Sequence, residues 1–253
     1  MDWEKIRKMR AFLKDHDRDE VDFSATDQGS HVPMPDIQKP WTGGELLILP
    51  RIEEISKPEM TIAEAIGRRR SRRVYQGHEM KLEELSYLLW ATAGIRANRP
   101  HRVLRTRPSA GNRHSDETYL AVLNVEGLKQ GIYRYLPMEH ALGLIAEHQD
   151  LYDRVSKAAR MQIFAARSNV LFIWTSIPYR TEWRYDFASA KVIAIDMGHI
   201  CQNLYLACES IGYGTCAIAA YDQDEADSLL EVDGTDEFTV YMAPVGFQDP
   251  GEQ

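Results

Sequence analysis

Five arginines fall within six consecutive positions, Arg68, Arg69, Arg70, Arg72 and Arg73, with Ser71 among them. A guanidinium fork matches a phosphate through two parallel hydrogen bonds, and a serine hydroxyl adds a further donor. Cations at a helix C-terminus are favoured by the macrodipole and otherwise face water. That accounts for one or two arginines. Five packed together repel one another unless an anion or acids offset them. A bound phosphate, a nucleic-acid patch and a solvated helix end are the three readings of this run.

Two other stretches carry groups suited to a ligand. "RPSAGNRHSDE", Arg107 to Glu117, is a small-residue loop before a strand. Pro108, Ser109, Ala110 and Gly111 would let a flat ligand approach the backbone, and Asn112 offers both donor and acceptor to a heteroaromatic edge. The plain reading is a strand-entry turn. "RTEWRYDF", Arg180 to Phe187, sets a cation, Arg184, beside a phenol, Tyr185. Its plain reading is a helix start with an aromatic anchor. "GYGTCA", Gly212 to Ala217, imitates G-x-G-x-x-A. It follows a helix and opens a strand, the reverse of what a dinucleotide fingerprint needs. Gly212 is instead expected to end that helix and Gly214 to permit close backbone approach. His199 is expected as a hydrogen-bonded core histidine and His114 as a polar group in a pocket. No nucleophile elbow, P-loop, HExxH or paired-carboxylate pattern occurs, and no metal site is expected.

These residues must be positioned by a chain of 253 residues, 44% hydrophobic and 27% charged, with formal net charge −8. That is enough for a sizeable core. Charge is uneven: from Arg68 to Arg113 there are eleven arginines and one lysine against three acids. A basic island in an acidic protein suggests a local anionic ligand, because the rest of the molecule would repel a polynucleotide. No apolar run is long enough for a membrane helix, and "MDWEKIRKMR" does not read as a secretory signal. Cys201, Cys208 and Cys216 form no CxxC pair. They are expected as reduced, buried thiols of a cytoplasmic protein.

Residues 3–15 have an amphipathic helical pattern, and 16–58 lose it among five prolines. Residues 1–58 thus read as a helix and extended arm, and 59–250 as the main domain. Thr61 and Glu64 have capping-box spacing ahead of the arginines. Leu82, Leu85, Leu88 and Leu89 mark a second helix stopped by Gly94. "ETYLAVLNV", "GIYRYLP", "ALGLIAE" and "NVLFIWTSI" predict strands, the second and third a hairpin around Met138 to His140. A continuous, almost wholly apolar helix is predicted from about Glu182 to Ile211, suited to a core or subunit interface. "GTCAIAAY" predicts a strand, "QDEADSLLEV" a helix and "EFTVYMAPVG" the last strand. Helices and strands without strict alternation predict an α+β fold.

Taken in order, "RRSRR" at Arg69–Arg73, "PSAGNRH" at Pro108–His114 and "GHICQNLYLACESIGYGTCAIAAYD" at Gly198–Asp222 resemble the nitroreductase superfamily of FMN-dependent oxidoreductases. Within it, "PSAG", "GIYRYLPMEHAL" and "RY…MGHICQNLYLA" look like the branch of thiazole/oxazole-forming peptide dehydrogenases. The resemblance implies a mainly antiparallel sheet flanked by helices and an intertwined homodimer with FMN at its interface. It implies that Arg69, Arg70, Ser71 and Arg73 hold the FMN phosphate and ring polar atoms. Pro108, Ser109, Ala110, Gly111 and Asn112, from the other subunit, would lie against the ring. Amides around Ile218, Ala219 and Ala220 would face the reactive nitrogen, with Gly214 and Thr215 nearby. Arg184 and Tyr185 would sit beside the substrate.

The chemistry implied is electron transfer from NAD(P)H through FMN to a small aromatic, nitro or quinone-like acceptor. The alternatives are oxidation of a peptide-derived azoline ring, or a flavin-binding or nucleic-acid-binding protein without turnover. The chain departs from the pattern in three places. It closes in "VGFQDPGEQ" without the basic residue that many relatives place after the last strand, so Arg68, Arg72 or Arg113 is expected to substitute. Ala219-Ala220 replaces a common Glu-Gly, which leaves the backbone amides in place. Arg184 stands where azoline dehydrogenases have lysine, and an arginine that stays protonated cannot act as a base.

Overall fold

Strand β4, Asp116–Val122, is buried at every position, and its alternation sorts its side chains to two opposite faces. Leu120 and Val122 enter one apolar cluster; Tyr119 and Ala121 enter another. The computed structural model, which describes residues 1–99 and 102–248, is therefore a sheet covered on both sides. Its seven strands are β1 (Leu46–Ile48), β4, β5 (Gly131–Leu136), β6 (Ala141–Glu147), β7 (Val170–Ser176), β8 (Tyr213–Thr215) and β9 (Phe238–Phe247). They lie in the order β1-β6-β5-β4-β7-β9-β8, and every adjacent pair is antiparallel. Strands β2 (Ile95–Arg99) and β3 (Arg102–Arg105) form a separate hairpin.

One face is covered by α3 (Leu82–Ala93) and α6 (Ser189–Ser210), whose Leu85, Leu88, Leu89, Ile200 and Leu204 pack on Phe172 and Trp174. The other is covered by α4 (Leu151–Ala158) and α7 (Gln223–Leu230), through Leu151, Val155, Leu229 and Leu230. A single Leu89→Ala cavity in such a core costs about 2–5 kcal/mol. The short helices α1 (Trp3–Arg10), α2 (Ile62–Arg68) and α5 (Tyr179–Tyr185) lie outside these layers. The expected α+β class and antiparallel sheet are what the chain forms. Among the described residues no helix is long and apolar enough to cross a membrane.

Three local expectations need correction. The helix expected from Glu182 to Ile211 is two helices: Asp186 takes a left-handed φ of 50° and breaks the chain between α5 and α6. His199 is exposed rather than part of the core. The strand expected at Gly214 to Tyr221 stops at Thr215, leaving only an isolated bridge between Ile218 and Met242. Gly94 does end α3, with φ −59°, and a Cβ there would lie 2.5 Å from Trp90 Cδ1, so close approach is what requires the glycine. The arm is also less separate than its composition implies, since β1 closes one sheet edge by pairing with β6. Residues 249–253, whose lack of a basic side chain bears on the phosphate reading, lie outside the described residues.

Candidate functional site

The arginine run begins where α2 ends. Thr61 Oγ1 accepts from Glu64 N–H (3.3 Å), and the Glu64 carboxylate accepts from Thr61 N–H (2.9 Å), so the expected capping box starts the helix. At its other end Arg70 turns back, and its Nη1 donates to the carbonyls of Gly67, Arg68 and Arg69 at 3.0–3.3 Å. Those carbonyls are among the orphans every helix C-terminus leaves. Arg69 and Arg73 do otherwise: their guanidinia stack on Tyr205 (5.3 Å) and Phe164 (5.8 Å).

Beyond α2 the chain runs beside β8. Ser71 bridges Thr215, and Arg72 N–H donates to Thr215 O (3.0 Å). The close approach depends on Gly214, where a Cβ would lie 2.6 Å from Arg72 Cβ. Tyr205 ties the pieces together: its hydroxyl meets Ser71 Oγ at 3.2 Å and accepts from Ala217 N–H at 2.9 Å. Next along the chain Ile218 is buried and bonded to Met242, whereas Ala219 and Ala220 are exposed. Their amides make no hydrogen bond among the described residues. The buried Thr215 hydroxyl also lacks a partner. Two stacked guanidinia, a positioned serine and two free amides form a donor set suited to a phosphate joined to a polar heteroaromatic ring.

The second group assembles around the loop Pro108 to Asn112. Gly111 has φ +57°, and a Cβ on it would meet Arg184 Cδ and the Tyr185 hydroxyl at 2.7 Å. The structure thus brings the small-residue loop and the Arg184-Tyr185 pair together, and the contact requires glycine on both counts. Asn112 and His114 also take positive φ, 59° and 48°. His114 N–H donates to Ser109 Oγ (2.9 Å), and its Nε2 donates to Asn112 Oδ1 (3.1 Å) and Val103 O (3.2 Å). Burial, then the charges of Arg105 and Arg107, lower the His114 pKa from 6.5 to about 3. Neutral His114 is therefore a fixed donor that occupies the Asn112 carbonyl, leaving the amide NH₂ as the group Asn112 presents. Sequence alone gave Asn112 both roles.

Two contributors carried no recognisable signal. Asp196, on α6, accepts the Ala110 N–H with both carboxylate oxygens (3.1 and 3.0 Å). Burial raises its pKa. In sequence it is one acid in an apolar helix pattern. The other is the N-terminal arm. Gln28 Oε1 accepts from Arg184 Nη1 (3.1 Å), Arg18 lies over the Tyr185 ring (5.7 Å), and Trp183 Nε1 donates to Val32 O (3.0 Å). Behind the loop Asp116 pairs with Arg105 and Arg107, and Glu117 with Arg180. Burial alone would raise the Asp116 pKa, but Arg107 and Arg105 hold it well below the carboxylate range.

The two groups occupy opposite ends of α6. Asp196 and Tyr205, which anchor them, are nine residues apart, about 13 Å along the axis. No hydrogen bond, ion pair or ring contact joins one group to the other among the described residues.

An antiparallel sheet covered on both faces, with an arginine segment on its β8 edge and a small-residue loop at the far end of a long helix, has the fold of the nitroreductases. Residues 66–247 match the model of the nitroreductase family, and the chain belongs to that family. A protein of Methanocaldococcus jannaschii named as a candidate nitroreductase is 31% identical over 198 residues, 78% of this chain and 94% of its own. Three solved structures share the fold. A candidate nitroreductase from Ralstonia eutropha (23% identity, TM-score 0.68) is matched over 84% of this chain and 93% of its own. One from Anabaena variabilis (22%, 0.69) is matched over 85% of this chain, which spans only 41% of that longer one. A chain of the Escherichia coli microcin synthetase McbBCD complex, solved with truncated pro-MccB17 bound, is 18% identical with TM-score 0.60, over 90% and 88%.

Proposed function

We propose that this oxidoreductase of the nitroreductase family is FMN-dependent and passes electrons from NAD(P)H to a small aromatic, nitro or quinone-like acceptor. The observation that carries the reading is the donor set of Arg69, Ser71 and Arg73 beside the free amides of Ala219 and Ala220. When bound, FMN supplies the redox chemistry, and the protein supplies binding, orientation and protons. Arg69 and Arg73 grip the phosphate, and Ser71, oriented by Tyr205, adds a hydrogen bond. Arg70 contributes by holding the end of α2 in place. Gly214 and Thr215 bring the arginine strand close, and the exposed amides of Ala219 and Ala220 would face the ring, whereas the Ile218 amide is already taken by Met242 O.

Pro108 to Asn112 would form the other wall of the site, where the Asn112 amide NH₂ would be the donor offered to ring oxygens or nitrogens. Tyr185, held against Gly111, donates a proton to the reduced acceptor, and Arg184 adds positive charge beside it. Two ligand-facing groups that do not meet within one chain support the dimer implied by the resemblance, in which the loop of one subunit completes the arginine site of the other. Residues 1–58 act as a strap that fixes Arg184 and Tyr185 on the domain formed by 59–250.

Arg69→Ala and Arg73→Ala test the phosphate grip. Each removes one charge-assisted contact of about 1.5–3 kcal/mol, so FMN affinity should fall about ten-fold or more. Full flavin occupancy in both variants after extensive dialysis sinks the assignment.

A further inference from the structure

Six arginines line a single cleft of about 770 Å³ beside the loop Pro108 to Asn112: Arg96, Arg102, Arg105, Arg107, Arg113 and Arg184. Among the described residues no acidic one lines it. Asp116 offsets Arg105 and Arg107, whose side chains are 2% and 0% exposed. Even so, the Nε–H groups of both lack an acceptor. No carboxylate among the described residues lies within 4.0 Å of Arg96, Arg102, Arg113 or Arg184. Arg113 is 8% exposed and makes do with the Trp183 ring (5.0 Å), the Gly111 carbonyl (3.1 Å) and Met34 Sδ (3.2 Å). Burial and the neighbouring Arg184 charge both disfavour its protonated form. Water explains the exposed Arg96 and Arg102. It does not explain buried guanidinia gathered on one wall with charge and donors left over.

The geometry points to a binding site for an anionic group, a carboxylate or phosphate, carried by a small molecule that visits the face of the loop Pro108 to Asn112. The inference rests on the FMN oxidoreductase reading, because that reading makes this loop the wall of the reaction site. The anion has two possible sources: a carboxylate on the acceptor, or the 2′-phosphate of an NADPH donor. Both present oxygens to a guanidinium fork.

Calorimetry on the purified protein separates them with four probes: 4-nitrobenzoate against neutral 4-nitrobenzamide, and adenosine 2′,5′-bisphosphate against adenosine 5′-monophosphate. One member of a pair should bind about ten-fold more tightly than its control, and added salt should weaken it. In Arg102→Gln and Arg113→Gln that preference should shrink to about two-fold or less. Preference for 4-nitrobenzoate assigns the site to the acceptor; preference for the 2′-phosphate assigns it to the donor. Equal binding within both pairs overturns the inference, as does a preference that survives in both variants. The Arg102 position is exposed on the β3 end of a surface hairpin, so that variant is expected to fold. The visible spectrum of the same samples reports flavin separately. An anion preference in a colourless protein that takes up no FMN keeps the cleft and sinks the oxidoreductase reading; a flavoprotein without the preference sinks only the cleft.

Discussion

Arg69, Arg70 and Arg73 are equivalent in sequence, yet Arg70 closes its own helix while the other two stack on aromatic rings. That difference lies in where Tyr205 and Phe164 fall in space, which no spacing within the run reports. Tyr185 is the residue whose assignment matters most. If it donates a proton, Tyr185→Phe should retain FMN yet slow acceptor reduction by about a hundred-fold. Unchanged turnover with the physiological acceptor would return Tyr185 to packing against Gly111.

His114 makes a prediction of a different kind. Its native pKa of about 3 lies below the ordinary 6.5, so the unfolded chain binds the proton more readily. Its contribution to stability is full above pH 6.5 and is lost as pH falls from 6.5 towards 3. Asp196, with its raised pKa, acts with the opposite sign over the carboxylate range. The melting temperature of His114→Gln should therefore fall less between pH 7 and pH 5 than that of the unaltered protein. Parallel curves would show that His114 titrates normally.

At the scale of elements, α6 decides the geometry. Its apolar pattern was legible, and so were the strands β4 to β7, because each carries the periodicity of its buried faces. The break at Asp186 was not, since the pattern runs through it and only a backbone conformation marks it. Strand β8 was overextended for a related reason: Cys216 to Ala220 has strand-like composition, but beyond Thr215 its backbone has left the ladder of β9. The β2–β3 hairpin went unrecognised because its arginines hide the alternation. With the two ligand-facing groups at opposite ends of α6, one subunit's arginines would serve the other's loop. Coexpressing Arg73→Ala with a loop variant such as Asn112→Asp, each chosen because alone it lowers flavin content, should restore flavin to about one site of the two in mixed dimers. Mixed dimers as empty as the parents would place both groups in one subunit's site.

At the scale of the whole molecule, the arm binds the rest through arginine hydrogen bonds to its carbonyls and one half-buried ion pair. Ile37 O accepts from Arg105 (2.8 Å), Lys39 Nζ pairs with Glu237 (2.6 Å), and Lys39 O and Pro40 O accept from Arg134 (3.1 and 2.9 Å). Proline-rich polar sequence gives no hint of such docking, because the partners are scattered over β3, β5 and the turn before β9. The uneven charge did survive the passage from sequence to structure: basic side chains collect at the arginine segment and the cleft of a protein with net charge −8. The measurement that bears most directly on the account is the visible absorption spectrum of the purified protein, followed by identification of any ligand released on heating. The expected result is a yellow protein that releases FMN. A colourless protein that also fails to take up added FMN would contradict it.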